Sequence, residues 1–541
     1  MTNSNCDDGR VDEPVVSNTL VYLSGYQLYL VVLAVSLAGF LYSLDITIIT
    51  TAIPVITTHF HSIKDIGWYG SAYLITLCAC TPLMGKIYQF YHSKTTFFTF
   101  VFIFEIGSLV CGVAPSSTAF IIGRAVAGIG GAGLFSGGLT IVSTTSTKEQ
   151  RPKILALVYA FSMLGTVVGP ILGGAITQKA SWRWCFYINL PAGGVALAAI
   201  SLIRISDIRD KSNTDATLYE TINRLDPIGF CLFAPTCIML LLSLQWGGST
   251  YAWHSSTIIG LFIGSAVSLI AFCMWESQRG DSAMVPPSIL SQRVVYSSCI
   301  VNISQYASLQ IFAYYLPVWF QTVLGVSPIM SGVYFMATAV PLITALMLTA
   351  TIASKMGNPA VYALIGNALA AIGTGLMSMF TPFSRTGMWV GYQILSGVGR
   401  GITLQQPIIA VQQNLESSKI SVGTAMVVFC QFFSGALFLA LAETDLSSTL
   451  KLALVQYAPG VNATLVFDAG ATGVREAVTS DQLPGMLVAY NRAIRNTFYI
   501  GAAASAFAVL ASAGMGFKNT RTLKHGTAAA PAKTAEPTAE V

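Results

Sequence analysis

The sequence predicts an all-α, polytopic membrane protein. Of its 541 residues, 54% are hydrophobic and only 9% are charged, and the mean hydropathy is +0.66. An ordinary globular domain carries roughly 25% charged residues, so composition alone argues against a soluble protein. Apolar runs of about 20 residues, long enough to cross the hydrocarbon core as helices, recur from one end of the chain to the other.

Fourteen apolar runs each predict one transmembrane helix. An even number of spans places both termini on one side, and most of the Lys and Arg residues fall in cytoplasmic segments if that side is the inside. We therefore expect both termini to be cytoplasmic. The predicted spans are 27–51, 68–88, 97–114, 119–143, 155–177, 186–204, 227–246, 257–275, 297–321, 330–352, 359–380, 387–411, 421–442 and 496–517.

A short internal repeat predicts two halves. The stretch RAVAGIGGAG beginning at Arg124 aligns with QILSGVGRGI beginning at Gln393. If span twelve repeats span four, each half is a six-helix bundle and two helices are inserted between the halves; a match this short and Gly-rich can also arise by chance. The predicted segments are a disordered cytoplasmic tail 1–26, the first bundle 27–204, a cytoplasmic linker 205–226, the inserted helices 227–276, the second bundle 297–517 with an outer loop 443–495, and a disordered cytoplasmic tail 518–541.

Span five carries a glycine face interrupted by a proline. Gly165, Gly169 and Gly173 recur every fourth residue and share one side of the helix, where a second backbone can approach closely. Pro170 lacks an N–H and crowds the preceding turn, which predicts a bend, and Gly174 is expected to widen the groove. A bent, smooth helix suits sliding against a partner, although the same glycine face also serves ordinary helix packing.

Four ionisable residues inside the spans are candidates for function, because charge is costly in lipid. Asp45 and Arg124 are predicted at a similar depth and can therefore pair. A carboxylate that loses its partner in one conformation becomes costly to keep charged and takes up a proton, which is a route to proton coupling; a static pair that fixes helix register is the alternative. Glu105 fits either a coupling role or a neutral, hydrogen-bonded acid. Arg400 can meet an anionic substrate group or cap an internal carbonyl.

Aromatic and amide side chains inside the spans are candidates for a substrate cavity, because this mixture suits large amphiphilic organic molecules. Any single member can instead join neighbouring helices or lie in an interface belt. The outer loop also contains a glycosylation sequon at Asn462. The cavity candidates are Tyr73, Gln305, Tyr306, Gln310, Gln393, Arg400 and Gln431.

Several classes of function are disfavoured by missing patterns. The sequence has no G-x-x-x-x-G-K-[ST] motif for ATP hydrolysis, and its 5 histidines form no cluster spaced to hold a metal. Its basic residues lie in loops between apolar runs, which is not the pattern of a nucleic-acid-binding protein. We therefore expect no enzymatic activity, no catalytic or metal site, no cofactor and no nucleic-acid partner.

Four further stretches resemble a known family. They are LDITIITTAIP (44–54), GRAVAGIGG (123–131), SWRWCFYINLP (181–191) and LQWGG (244–248). Together with the span-five motif, they resemble the signatures of the fourteen-spanner drug:proton antiporters of the major facilitator superfamily, in its fungal branch. The resemblance implies that the span-five glycines form the antiporter motif and that Arg124 is tied to proton coupling. It also implies export of toxins or secondary metabolites, or drug resistance.

One segment departs from the family pattern. The loop GKIYQFYHSK (85–94) occupies the position of the family's gating loop. The superfamily favours an Asp and a Gly where this chain has Gln89 and His92, so the resemblance does not carry over an Asp-based charge relay. The gating-loop candidates are Gly85, Lys86, Gln89 and Lys94.

These observations together predict a proton-coupled exporter of small organic molecules that works by alternating access. We expect a monomer in the cell membrane, or alternatively in a vacuolar or vesicle membrane, with the proton gradient as its energy source. Two alternatives stay open from the residues. One is proton-coupled uptake of a nutrient or siderophore, and the other is a membrane sensor that does not transport.

Overall fold

The structure, a computed structural model, describes residues 23–62, 65–203, 220, 223–248, 250–461, 466, 475 and 478–516. The expected tail 518–541, nearly all of the tail 1–26 and most of the linker 205–226 lie outside the described residues. Asn462, the expected glycosylation site, also lies outside them.

The described chain is built from α-helices with short connections. Three 3₁₀ turns, Gly280–Ser282, Ser417–Lys419 and Ala513–Met515, flank some of them. The helices, numbered in chain order, are α1 (Tyr26–Phe60), α2 (Ile66–Phe90), α3 (Ser93–Val113), α4 (Ser117–Thr145), α5 (Arg151–Lys179), α6 (Trp184–Tyr187), α7 (Asn189–Ser201), α8 (Pro227–Trp246), α9 (Ser256–Arg279), α10 (Pro287–Leu290), α11 (Arg293–Thr322), α12 (Pro328–Met356), α13 (Pro359–Met377), α14 (Thr386–Thr403), α15 (Gln406–Asn414), α16 (Ile420–Tyr457) and α17 (Leu483–Ser512).

Among the described residues, 11 helical segments are long and apolar enough to cross a membrane, so the chain is a multi-pass membrane protein. Helices also stand at the predicted positions of spans two, nine and twelve, but α2, α11 and α14 are less apolar. In α11 the reason is visible, because it buries Ser, Asn and Gln side chains inside the protein. The exact count of fourteen spans stays a prediction.

The helices pack in two groups that contact each other mainly through four helices, α2, α5, α12 and α16. In the first group α1 packs along α5, and α4 packs against both α2 and α3. In the second group α14 packs against α12 and α13, and α17 packs against α11, α13 and α16. Contacts of α2 with α16 and of α5 with α12 join the groups, while α8 and α9 pair with each other and α8 also touches α2. The domain boundaries given by the sequence stay predictions.

Two predicted elements have different ends in the structure. Span twelve was expected to be one helix over 387–411, but α14 ends at Thr403 and α15 begins at Gln406. Pro407 lies in the first turn of α15, where it cannot donate a backbone hydrogen bond to the end of α14, and this favours a break at that point. The expected outer loop 443–495 is helical at both ends, since α16 continues to Tyr457 and α17 begins at Leu483. Hydropathy locates the apolar part of a helix and not its full length.

Candidate functional site

Asp45 on α1 and Arg124 on α4 form a buried ion pair. Arg124 Nη1 donates to Asp45 Oδ2 at 2.5 Å, and the two side chains are 1% and 0% exposed. Arg124 Nε donates to the carbonyl oxygen of Tyr69 at 3.0 Å, and its guanidinium carbon lies 4.6 Å from the centre of the Tyr73 ring. The structure thus brings together the two residues that the sequence placed at one depth. Removing one partner would leave a buried charge uncompensated, at a cost of about 3–5 kcal/mol.

Asn189 completes the ion-pair site, and the sequence-based list did not include it. Its Nδ2 donates to Asp45 Oδ1 at 3.2 Å and to Ser108 Oγ at 3.1 Å. Asn189 is the first residue of α7, so the hydrogen bonds connect α1 to α3 and α7. An Asn inside an apolar run was the available signal, but the run alone does not tell which helix the amide faces.

Glu105 lies near this network without joining it. It is on α3, is 8% exposed, and neither of its carboxylate oxygens has a hydrogen-bond partner among the described residues. It lies against Gly193 of α7 and interacts electrostatically with Asp45. An unpaired carboxylate is costly to keep charged in such surroundings, so Glu105 is a second candidate for holding a proton.

The glycine face of α5 packs on α1, the helix that carries Asp45. A Cβ added at Gly165 would lie 2.6 Å from the carbonyl oxygen of Phe40, and one at Gly169 would lie 3.0 Å from the backbone nitrogen of Ile48. Gly173 also approaches the carbonyl oxygen of Ile48. The lack of side chains at these three positions therefore allows α1 and α5 to meet backbone to backbone.

Gly174 and Pro170 differ from the rest of the motif. A Cβ at Gly174 would meet nothing within 4 Å, so Gly174 makes no close contact with α1, and the expectation that it widens the groove stays a prediction. Helix α5 is continuous through Pro170, and the expected bend stays a prediction. Two threonines of α1 bond carbonyls near the proline, Thr47 to Gly165 at 3.2 Å and Thr51 to Pro170 at 3.4 Å.

A central cavity of about 1020 Å³, its open mouth included, lies between α1 and α5 on one side and α11, α12, α14 and α16 on the other. Four of the predicted cavity residues, Tyr306, Gln310, Arg400 and Gln431, line it. The rest of the wall is mostly apolar and aromatic, and it includes two tyrosines that the sequence-based list missed, Tyr42 and Tyr159. This composition suits an amphiphilic organic molecule.

Three predicted cavity residues do not line the cavity. Tyr73 faces Arg124 instead, and Gln305 Nε2 donates to Asn367 Oδ1 at 3.2 Å. Gln393 accepts a hydrogen bond from Thr338 Oγ1 at 3.0 Å. The two glutamines therefore join neighbouring helices, which is the alternative that the sequence left open.

Two of the gating-loop candidates lie against other elements at the end of α2. A Cβ at Gly85 would lie 2.9 Å from Cα of Val422 on α16. Lys86 is 2% exposed, its Nζ lies 3.5 Å from the carbonyl oxygen of Asp281, and it interacts electrostatically with Glu276 and Asp226. Lys86 thus faces acidic groups at one end of the α8–α9 pair.

The other two gating-loop candidates, Gln89 and Lys94, form no hydrogen bond with Lys86 among the described residues. Gln89 is half-buried, and its Oε1 has no hydrogen-bond partner among the described residues. Lys94, the second residue of α3, donates to the carbonyl oxygens of Ser201 at 2.8 Å and Ile203 at 2.6 Å. Through these two bonds Lys94 caps the C-terminal end of α7 and does not contact the second group of helices.

Comparisons with known proteins agree with this architecture. The family model described as Major Facilitator Superfamily matches residues 35–439. The chain is 45% identical over 518 residues to the efflux pump mlcE of Penicillium citrinum, covering 94% of each protein. It is 42% identical over 500 residues to the MFS-type transporter pigP of Monascus ruber, covering 92% of this chain and 88% of that one.

A solved structure supports the fold alone. The proton:xylose symporter XylE bound to 6-bromo-6-deoxy-D-glucose aligns with a TM-score of 0.61 at 13% identity, covering 92% of this chain and 98% of that one. The family match and the two fungal relatives carry the assignment further, because they extend over most of the sequence. The chain therefore belongs to the major facilitator superfamily, and it is a membrane transporter and not an enzyme.

Proposed function

We propose that this protein exports small organic molecules, such as a secondary metabolite, toxin or drug, in exchange for protons. Export is supported by the fungal relatives, several of which are named efflux pumps. Proton coupling is supported chiefly by one observation, the fully buried Asp45–Arg124 ion pair. The energy source would be the proton gradient, with no cofactor.

Protonation of Asp45 would change what holds α1. The neutral acid no longer attracts Arg124 as a carboxylate does, while Arg124 keeps its hydrogen bond to the Tyr69 carbonyl oxygen. The bonds that tie α1 to α4 and α7 weaken together, because the Arg124 and Asn189 donors share the one carboxylate. Such a difference in interaction energy between two protonation states is what shifts a conformational equilibrium.

The same helix faces the cavity. Ser43, Ile46 and Thr47, which flank Asp45 along α1, line the cavity wall. A substrate in the cavity and a proton on Asp45 therefore both act on α1. The close packing of α1 on α5 would let α1 move as a rigid element. Coupling between two sites needs such a shared element whose position both can bias.

Alternating access also requires contacts that break at one end of the molecule. Nε2 of Gln412, on α15, donates to the carbonyl oxygen of Leu139 on α4 at 3.1 Å. Nη1 of Arg151, on α5, donates to the carbonyl oxygen of Gln412 at 3.2 Å. These bonds join the two helix groups. In this proposal they would break when the cavity opens at that end, which the Lys and Arg distribution assigns to the cytoplasm together with both termini.

The direct test is Asp45→Asn in sealed vesicles with an imposed pH gradient and a fluorescent substrate. The variant loses the ion pair and should be less stable than the wild type, but it should still fold and bind substrate while losing pH-driven flux. Glu416→Gln, a change at an acid that is 77% exposed, should transport normally. Full pH-driven flux in Asp45→Asn would contradict the proposal. Substrate movement in the same direction as the protons would indicate uptake instead.

A further inference from the structure

The substrate cavity contains one buried positive charge and no negative one among its described lining residues. Arg400 is the only Lys, Arg, Asp or Glu in that wall. Its side chain is 6% exposed, and no described acidic group lies within ion-pair distance of it. Arg124, which is also buried, has Asp45 as a counter-ion. The contrast requires a reason for the unpaired guanidinium.

Arg400 is held in place by neutral groups that leave part of it free. Its Nη2 donates to Ser308 Oγ at 2.9 Å and to the Ser308 carbonyl oxygen at 3.3 Å, and Ser505 Oγ in turn lies 2.7 Å from Ser308 Oγ. The guanidinium carbon lies 5.3 Å from the centre of the Phe312 ring. Arg400 Nε has no hydrogen-bond partner among the described residues. A guanidinium can donate five hydrogen bonds, so most of its capacity is unused.

Other unpaired donors line the same cavity. The hydroxyl oxygens of Tyr159 and Tyr306 are buried next to each other, and that of Ser396 is buried with no hydrogen-bond partner among the described residues. Because one tyrosine O–H at most is used between the two tyrosines, at least two of the three hydroxyl groups can donate to an acceptor in the cavity. A positive group with several O–H donors and no carboxylate nearby is the composition of an anion site.

We propose that the exported molecule is an amphiphilic anion whose carboxylate binds Arg400. Carboxylates match the planar fork of a guanidinium and form strong, charge-assisted hydrogen bonds with it. The apolar body would lie on the aromatic wall formed by Tyr42, Phe135 and Phe335. This inference rests on the proposed function for the idea that the cavity binds the substrate, and it adds the charge of that substrate.

The alternative role for Arg400 is structural, namely capping the Ser308 carbonyl. That role needs one of the five donors and no charge, and a neutral side chain would fill it without the cost of an unpaired buried cation, which is several kcal/mol. The two roles predict different results for a neutral substitution. A cap affects all ligands equally through the fold, whereas an anion site affects only ligands that carry the anion.

The test compares ligands that differ only in their head group. The purified full chain, reconstituted in lipid nanodiscs, is titrated with pyrenebutyrate, with the corresponding alcohol, pyrenebutanol, and with pyrenebutylamine. The wild type should bind the carboxylate at least roughly tenfold more tightly than the alcohol. Arg400→Gln should abolish that ratio while leaving the affinity for the alcohol within about twofold, and Arg400→Lys should keep part of it. Arg492→Gln, at an exposed arginine, is the matched control.

Two results would overturn the inference: equal or tighter binding of the alcohol or the amine by the wild type, or a carboxylate preference that survives in Arg400→Gln. Thermal unfolding of each variant verifies that it is folded, and Arg400→Lys keeps the test decisive if Arg400→Gln does not fold. Flux in vesicles separates this inference from the proposed function. Carboxylate preference without pH-driven flux would contradict only the proposed function, and pH-driven flux without head-group preference would contradict only the anion site.

Discussion

The seam between α1 and α5 leaves no room for an added methyl group at Gly165, and Gly165→Ala tests it. The added Cβ would lie 2.6 Å from the carbonyl oxygen of Phe40, 3.0 Å from the backbone nitrogen of Leu44 and 3.1 Å from Cβ of Ser43. All three neighbours belong to α1, and two of them are backbone atoms that cannot rotate away. The methyl group can therefore be accommodated only if the two helices separate.

The size of the effect follows from these distances. Ordinary contacts between carbon and other heavy atoms are about 3.5 Å, so the helices must separate by roughly 1 Å at this point. Overpacking of this kind costs about 1–3 kcal/mol. Separation also weakens the bond from Thr47 Oγ1 to the Gly165 carbonyl oxygen. Because α1 carries Asp45, the shift should also lower transport.

Gly174→Ala is the matched control, because it makes the same chemical change on the same helix where nothing lies within 4 Å. Thermal unfolding in detergent and pH-driven flux in vesicles are measured for both variants. Gly165→Ala should unfold at a lower temperature and transport more slowly than the wild type. Gly174→Ala should match or exceed wild-type stability, since Ala favours a helix over Gly by about 1 kcal/mol. Equal behaviour of the two variants, or a larger defect in Gly174→Ala, would refute the reasoning.

Three further predictions concern single side chains. Asn189→Ala should lower the free energy of unfolding by about 1–3 kcal/mol, because Asp45 loses a buried hydrogen-bond donor. A double-mutant cycle with Asp45→Asn should show that the two decreases in the free energy of unfolding are not additive. Simple additivity would contradict the contact between Asn189 and Asp45. Hydrogen bonds from two serine hydroxyl groups lower the pKa of Asp65, in the α1–α2 connection, below its ordinary value of 3.8. Because the pKa is lowered in the folded state, this stabilisation is fully present above about pH 4 and is lost as the pH falls through the lowered pKa. Asp65→Asn should therefore reduce the fall in unfolding temperature below about pH 4, and an unchanged pH profile would count against these bonds. Lys86→Gln should lower the unfolding temperature more than Lys419→Gln. Lys86 is buried among acidic groups, whereas Lys419 is 32% exposed and its Nζ lies 4.0 Å from Glu416 Oε2. Equal shifts in unfolding temperature would show that the buried charge of Lys86 contributes nothing to stability.

The ion pair was predictable from the sequence for a simple physical reason. Charged residues in lipid need partners, and a helix advances 1.5 Å per residue, so the depth of Asp45 and of Arg124 can be counted from the ends of their apolar runs. Asn189 could not be found in this way. Its contact with Asp45 depends on the rotation of α7 about its own axis, and an all-apolar helix surface has no periodicity that fixes this rotation.

The cavity was predictable only in part for a related reason. Polar side chains inside spans face the protein and not the lipid, which holds for both Gln431 and Gln393. The interior, however, includes the cavity and also the contacts between helices, and the sequence does not distinguish the two. Gln431 lines the cavity, whereas Gln393 bonds Thr338 on a neighbouring helix. Only the arrangement of helices in space separates these roles.

Residues on one side of helix α1 line the cavity, and Asp45 on another side pairs with Arg124. This arrangement bears on how transport could be inhibited. A compound lodged against Ser43 and Thr47 would fix the position of the helix whose other side holds Asp45. Such a compound would prevent Asp45 from exchanging its hydrogen-bond partners without contacting Asp45 itself. Blockers of this transporter could therefore be sought among molecules that fill the cavity and resist release. If Asp45 carries the coupled proton, as we propose, they would stop the movement of protons and of substrate together.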